Sequence, residues 1–291
     1  MSDKERLLYV SVTGQSDVGL VRSNNEDSFL IADLTEGVEL TTPSALNHAV
    51  DQRGCLFAVA DGMGGAAAGE VASRTAVESV SRLLKASKYD SRQAFVMALK
   101  NSIDDANTLI RRESHRDESS KGMGTTFSAA GVYDGAVFFA QVGDSRAYLV
   151  RNNVIVQMTK DQSWVAHLVA TGVLSPEKAK NHPQRNIILQ ALGSQDRVDV
   201  AFSFAELRKG DWLILCSDGL SGKIEETELS GVLEKCSGSK DACERMITIA
   251  RSRGGEDNIT VIVARFDGDR LPLALPEELP VYQEFEKAHA R

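Results

Sequence analysis

Two helical patterns follow one another in the first half of the chain with no strand between them, and hairpins come directly after. Val77, Val80, Leu83 and Leu84 recur at helical spacing, as do Phe95, Leu99, Ile103, Ala106 and Ile110. Only the stretch KYDS separates the two sets, and Ser91 is placed to cap the second helix. From Thr125 the apolar residues form strand-like runs with tight connections. TTFSAAGVY and AVFFAQV flank Asp134-Gly135, while RAYLV and VIVQM flank Asn152-Asn153. Both pairs tolerate the positive φ angles of a two-residue hairpin turn. A parallel sheet would need a crossover between successive strands. This order argues against one and predicts an α+β fold, with antiparallel sheets covered by helices.

Other strand-like runs are LLYVSVTG, SFLIADL and CLFAVA near the start, and DWLILCS and ITVIVARF later. Residues 35–54 are polar and read as a loop or insertion. Residues 161–193 read as mostly helical, with Ser175-Pro176 at a helix start. Another helical stretch spans about 225–253 and stops at Gly254-Gly255. Pro272, Pro276 and Pro280 are half of the six prolines. They make 268–291 an extended tail, packed on the surface or mobile, rather than a helix.

Acidic residues outnumber basic ones 41 to 33, a formal charge of −8, which argues against a nucleic-acid-binding face. No apolar run is long enough for a membrane helix, and MSDKERLLYV has no apolar signal core. A cytoplasmic location is expected. Cys55, Cys216, Cys236 and Cys243 form no C-x-x-C pair and read as small buried hydrophobes. His48, His115, His167, His182 and His289 show no metal-ligand spacing. The motifs of cysteine-dependent phosphatases, phosphate-binding loops, zinc proteases and serine hydrolases are absent.

What remains is a repeated design in which an apolar strand ends in an aspartate beside glycine. It occurs in FAVADGMGG (Asp61), FAQVGDSRA (Asp144) and LILCSDGLSG (Asp218). Asp257 in GGEDNITV and Glu26-Asp27 in NNEDSF precede strands in the same manner. One Asp-Gly is ordinarily a turn; five acidic sites at strand ends suggest a cluster. If they converge, two carboxylates about 4 Å apart repel by roughly 4 kcal/mol at an effective dielectric near 20. Such a cluster needs protons or cations, and all-oxygen sites suit magnesium or manganese. Two such ions sharing a water would make metal-assisted phosphate hydrolysis the natural reaction class. Gly62-Met63-Gly64-Gly65-Ala66-Ala67 fits a dinucleotide fingerprint, but the parallel strand that should come next is missing.

In order and approximate spacing, GLVRSNNED, FAVADGMGG, GMGTTFSAA, QVGDSRAYL, TKDQSWV, HPQRNIILQALG, LCSDGLSG and GEDNITVIV resemble the PPM (type 2C) metal-dependent serine/threonine protein phosphatases, bacterial single-domain type. The resemblance covers about residues 10–266. It implies a β-sandwich of two antiparallel sheets flanked by helices on both outer faces. It also implies a catalytic domain over 1–267, with a flap at about 161–193 that helps to choose substrates. By the same resemblance, Asp61 bridges two manganese or magnesium ions, the Gly62 carbonyl joins one of them, and Asp218 and Asp257 complete the other. Glu26 and Asp27 act mainly through bound waters, Asn258 supports Asp257, and Asp144 joins Asp218 at a weaker third ion. Arg22 holds the substrate phosphate; the alternative for it is an ion pair with Glu26 or Asp27. Met63 stands where animal relatives often have a histidine acid, so leaving-group protonation falls to a metal-bound water. Gln162 stands where the flap motif commonly has histidine.

The function implied is hydrolysis of phosphoserine and phosphothreonine on proteins by metal-activated water. A monomer acting on a Ser/Thr kinase or its targets is expected. The alternatives are an inactive phosphoprotein-binding relative, which would be expected to lose metal-site carboxylates, and a phosphatase dedicated to one regulatory partner.

Overall fold

The structure, a computed structural model, describes residues 8–116, 120–180 and 182–285. Residues 1–7 and 286–291, including His289 and the end of the tail, lie outside the described residues. Among these, one sheet contains β1 (Leu8–Asp17), β4 (Ser44–Val50), β9 (Arg146–Arg151), β10 (Val154–Gln157), β12 (Trp212–Cys216) and β13 (Ile259–Asp267), in the order β10-β9-β12-β13-β1-β4. The other contains β2 (Asp27–Asp33), β3 (Glu39–Leu40), β5 (Cys55–Met63), β7 (Phe127–Tyr133), β8 (Ala136–Val142), β11 (Ala201–Glu206) and β14 (Gln283–Glu284), in the order β14-β11-β8-β7-β5-β2-β3. The short β6 (Gly124–Thr125) is added at the end of β5. Every pairing within these sheets is antiparallel.

The period-2 alternation of side chains explains the four layers. On β5, Cys55, Phe57 and Val59 pack between the sheets with Val12, Leu213 and Ile262. Leu56, Ala58 and Ala60 face the other way, onto α1 (Ala66–Ala86) and α2 (Arg92–Ser114) through Ala76, Val80 and Leu99. On β12, Leu213 and Leu215 point inward. Ile214 and Cys216 meet Leu229, Leu233 and Met246 on α6 (Glu226–Lys235) and α7 (Ser239–Ser252). Strands buried on both faces read as continuous apolar runs, and a fully buried side chain such as Phe57 contributes roughly 1.5–3 kcal/mol. The helix–sheet–sheet–helix sandwich expected from the resemblance is present.

The turns and caps follow local chemistry. Asp134 (φ 49°) and Gly135 (φ 73°) close β7–β8, and Asn152 (φ 50°) and Asn153 (φ 63°) close β9–β10. Ser91 Oγ accepts the Ala94 N–H at 3.2 Å, capping α2. Cys55, Cys216 and Cys243 are buried thiols and Cys236 is half-buried; none is bonded to another.

Four expectations need correction. Residues 35–54 are not wholly a loop: β3 and β4 lie there, and β4 is an edge strand on β1 with one solvated face, which hid its apolar content. The described residues of 161–193 hold two short helices, α3 (Trp164–Ala170) and α4 (Pro176–Lys180), because Gly172 and Pro183 interrupt the pattern. The stretch at 225–253 is two helices, broken at Cys236-Ser237-Gly238. Strand β11 was not read at all, and neither was the one-turn α5 (Asp218–Ser221).

Candidate metal centre

The acidic motifs sit at one end of the two sheets. Asp27 opens β2 and is paired directly across from Asp61 near the end of β5. Asp218 follows β12 and starts α5, Asp257 lies two residues before β13, and Asp144 follows β8. Like charges opposite one another destabilise a sheet, so this register is costly unless something neutralises it.

Glycines make the convergence possible. A Cβ on Gly62 would lie 2.1 Å from the Gly69 carbonyl oxygen and 2.6 Å from that of Glu26. One on Gly219 would lie 1.9 Å from the Asn258 oxygen. Backbone segments from different elements thus touch where side chains would keep them apart.

The carboxylates feel one another. Burial, then the charges of Asp27, Asp218, Asp144 and Asp257, holds the Asp61 carboxyl well above the usual range. Asp27 is pushed up to about 7, mainly by burial and further by Asp218 and Asp257, although Thr260 and Ser217 hydroxyls oppose the shift. Asp144 is also pushed up to about 7, by burial and then by Asp218 and Asp161. Asp218 is raised by burial and by Asp257, and Glu26 by burial, with Arg22 opposing. Desolvation and mutual repulsion both disfavour the ionised forms here.

Arg22 is the cation at the mouth. Its Nε lies 2.9 Å from Asp257 Oδ1, and its terminal nitrogen donates to Oδ2 at 3.0 Å. The ion-pair partner is therefore Asp257, not Glu26 or Asp27, because the loop carrying Arg22 folds back onto the start of β13. Asn258 fastens that loop. Its Nδ2 donates to the Val18 and Asn24 carbonyls at 3.0 and 2.9 Å, and its Oδ1 accepts the Glu26 N–H at 2.8 Å. Its own N–H donates to Asp257 Oδ1 at 2.9 Å, so Asn258 holds both the acid and the arginine's loop.

Several participants were not singled out in the sequence. Thr126 clamps Asp61: its Oγ1 accepts the Asp61 N–H and its N–H donates to the Asp61 carbonyl, both at 2.9 Å. Ser217 Oγ donates to Asp27 Oδ2 at 2.7 Å. Arg146 forks onto Asp161 with contacts of 3.1, 3.0 and 2.6 Å beside Asp144. Gln162, which the sequence did single out, also reaches this loop, its Oε1 accepting the Gly143 N–H at 2.8 Å. Thr126 lies within GMGTTFSAA and Arg146 within QVGDSRAYL. The four described histidines take no part in the cluster.

The residues fit hard cations. Asp27 Oδ1 is buried with no hydrogen-bond partner, an acceptor whose desolvation is uncompensated. The donors are carboxylate and carbonyl oxygens, which suit magnesium or manganese. Among the described residues, no three or more His, Cys, Asp or Glu side chains are close enough together as they stand to hold a metal ion by themselves. Such ions ordinarily keep several waters, so an open set of carboxylates suffices.

The chain is similar to known proteins over most of its length. The family model described as Protein phosphatase 2C matches residues 44–261. The chain belongs to that family. It is 41% identical over 213 residues to the serine/threonine phosphatase stp of Listeria monocytogenes serotype 4b, covering 73% of this chain and 84% of the relative. It is 34% identical over 247 residues to the protein phosphatase PhpP of Streptococcus pneumoniae, covering 84% and 93%. Among solved protein phosphatase 2C folds, the catalytic domain of PstP in complex with two manganese ions superposes with a TM-score of 0.73. The two are 32% identical, over 89% of this chain and 99% of that one.

Proposed function

We propose that Asp61, the Gly62 carbonyl, Asp218 and Asp257 would hold two manganese or magnesium ions. Glu26 and Asp27 act through bound water, and Asp144 with Asp218 holds a weaker third ion. The chain is a metal-dependent protein-serine/threonine phosphatase. When bound, the ions supply Lewis acidity and a water acidic enough to attack phosphorus near neutral pH.

The protein's own residues do the rest. Arg22 would offer its fork to two phosphoryl oxygens, a match of planar donors to an anion. Asn258 keeps the Arg22 loop in register with Asp257, and Thr126 fixes the backbone of Asp61. The flap at 161–193 borders the site and the catalytic domain spans 1–267, with 268–291 as its tail. The partners are phosphorylated proteins, a Ser/Thr kinase or its targets, met by a cytoplasmic monomer. No helix among the described residues is long and apolar enough to cross a membrane.

The observation that carries this reading is the charge imbalance: five aspartates meet at one sheet end with Arg22 at its mouth. Hydrolysis of a phosphothreonine peptide should vanish in chelator and return with manganese. Full activity in chelator after exhaustive dialysis would sink the two-metal reading.

A further inference from the structure

The loop that carries Arg22 also displays two aliphatic side chains, Leu20 and Val21, which are 57% and 68% exposed. A single exposed apolar residue is ordinary. These two differ in being consecutive, in sitting directly before the proposed phosphate-binding arginine, and in lying on a loop that is fixed. Leu20 N–H donates to the Gly255 carbonyl at 2.7 Å. Asn258 holds Val18 and Asn24 on either side of the pair. Gly19, at φ 82°, makes the turn before Leu20, and any Cβ there would lie 2.3 Å from the Asp257 carbonyl oxygen. Leu20 lies along bare backbone at Gly255, where a Cβ would come within 3.2 Å of its Cγ.

Three cations near this platform are engaged in ion pairs, and Arg185 acts on Glu256 at longer range. Arg251 pairs with Asp17 at 2.6 Å, Arg253 with Glu228 at 2.6 Å, and Lys223 with Glu256. An acidic residue next to the phosphorylated one would find these cations taken and the strand-end carboxylates nearby. An apolar residue would cover Leu20 and Val21.

We propose that Leu20 and Val21 read the residues flanking the phosphorylated side chain and select substrates with apolar flanks. This rests on the phosphatase reading, with Arg22 on the phosphate. Apolar burial is local to the flank, so it is uncoupled from the chemistry of the phosphoryl group.

The test uses the manganese-loaded full chain and three substrates: an aryl phosphate, and two phosphothreonine peptides that differ only in having valine or aspartate on both sides of the phosphothreonine. The wild type should favour the valine peptide on the order of tenfold in kcat/KM, mainly through KM. In the double variant Leu20→Ser, Val21→Ser that ratio should fall to about 2 or less, with aryl phosphate turnover within about twofold of wild type. Leu20→Ile with Val21→Ile should restore the preference. A wild-type ratio near one, a preference that survives the serine pair, or an equal loss on the aryl phosphate would overturn the proposal; the last would make the pair a structural support of the loop. A wild type that turns over none of the three substrates would overturn the phosphatase reading, and this inference with it.

Discussion

The strands that deliver aspartates to one end of the molecule deliver a different charge cluster to the other. Strand β9 runs from Arg146, beside Asp144, to Arg151, and β12 runs from Trp212, next to Asp211, toward Asp218. At the far end, Arg151 and Asp211 form a fork of 2.9 and 2.7 Å, with side chains only 6% and 1% exposed. Arg151 also donates to the Glu206 carbonyl at 2.8 Å and to Glu278 in the tail at 3.1 Å, and Arg208 adds a second contact to Glu278 at 2.8 Å. Each buried charge there has its complement. At the metal-centre end, buried Asp27 meets half-buried Asp61, Asp144 and Asp218, and Asp27 keeps an oxygen without a partner. A buried pair complete in itself is part of the scaffold. A largely desolvated cluster of one sign is a request for something from outside.

Substitutions should separate the two ends by the sign of their effect. Asp61→Asn should lower phosphatase kcat at least roughly a thousandfold, beyond the loss of about 100-fold typical of an outer-shell partner. The metal-free variant should nevertheless melt above the metal-free wild type, because a repelling charge is gone. Asp211→Ala should do the opposite. It strips the buried Arg151 guanidinium of its Asp211 fork and leaves it only the Glu278 and Glu206 contacts, at a cost of up to about 3–5 kcal/mol in denaturant unfolding, with kcat near that of wild type. If both variants lose stability together, the contrast between the two ends is false.

A smaller effect is expected at the mouth. Losing a charge-assisted hydrogen bond worth about 1.5–3 kcal/mol, Arg22→Ala should reduce kcat/KM by roughly ten- to a hundredfold, with much of the loss in KM. Melting temperature and metal content should change little. A variant that sheds metal while KM stays constant would make Arg22 a partner of Asp257 alone.

The smallest effect is on pH. Asp27 and Asp144 carry folded-state values of about 7, against about 3.9 for an unfolded aspartate. The folded chain therefore binds more protons than the unfolded one between these values, and stability falls as pH rises through about 7. The metal-free chain should melt a few degrees lower at pH 8 than at pH 5.5. Saturating manganese should remove or reverse this slope, because the ions bind the deprotonated carboxylates.

Legibility in the sequence followed burial. Strands such as β5 and β12, covered on both faces, read as unbroken apolar runs, and the Asp-Gly pairs that end them marked the site. Edge strand β4, half solvated, looked like a loop, and the turns after Pro183 were obscured by residual helical spacing. The acids were legible one at a time, and only their ordered motifs implied that they meet. The partners that hold them were not, because Thr126 and Ser217 act through hydrogen bonds between segments distant in sequence. The same holds for the pairing of Arg22 with Asp257, 235 positions apart.

Thermal unfolding of wild type and Asp61→Asn, each with and without manganese, addresses the charge imbalance itself. Metal-free wild type should melt below metal-free Asp61→Asn. Manganese at about 100 times its dissociation constant should stabilise the wild type by about 2.7 kcal/mol per site and the variant by far less. A wild type indifferent to manganese, or a metal-free variant less stable than metal-free wild type, would contradict the claim that this end of the fold is built around cations it must bind.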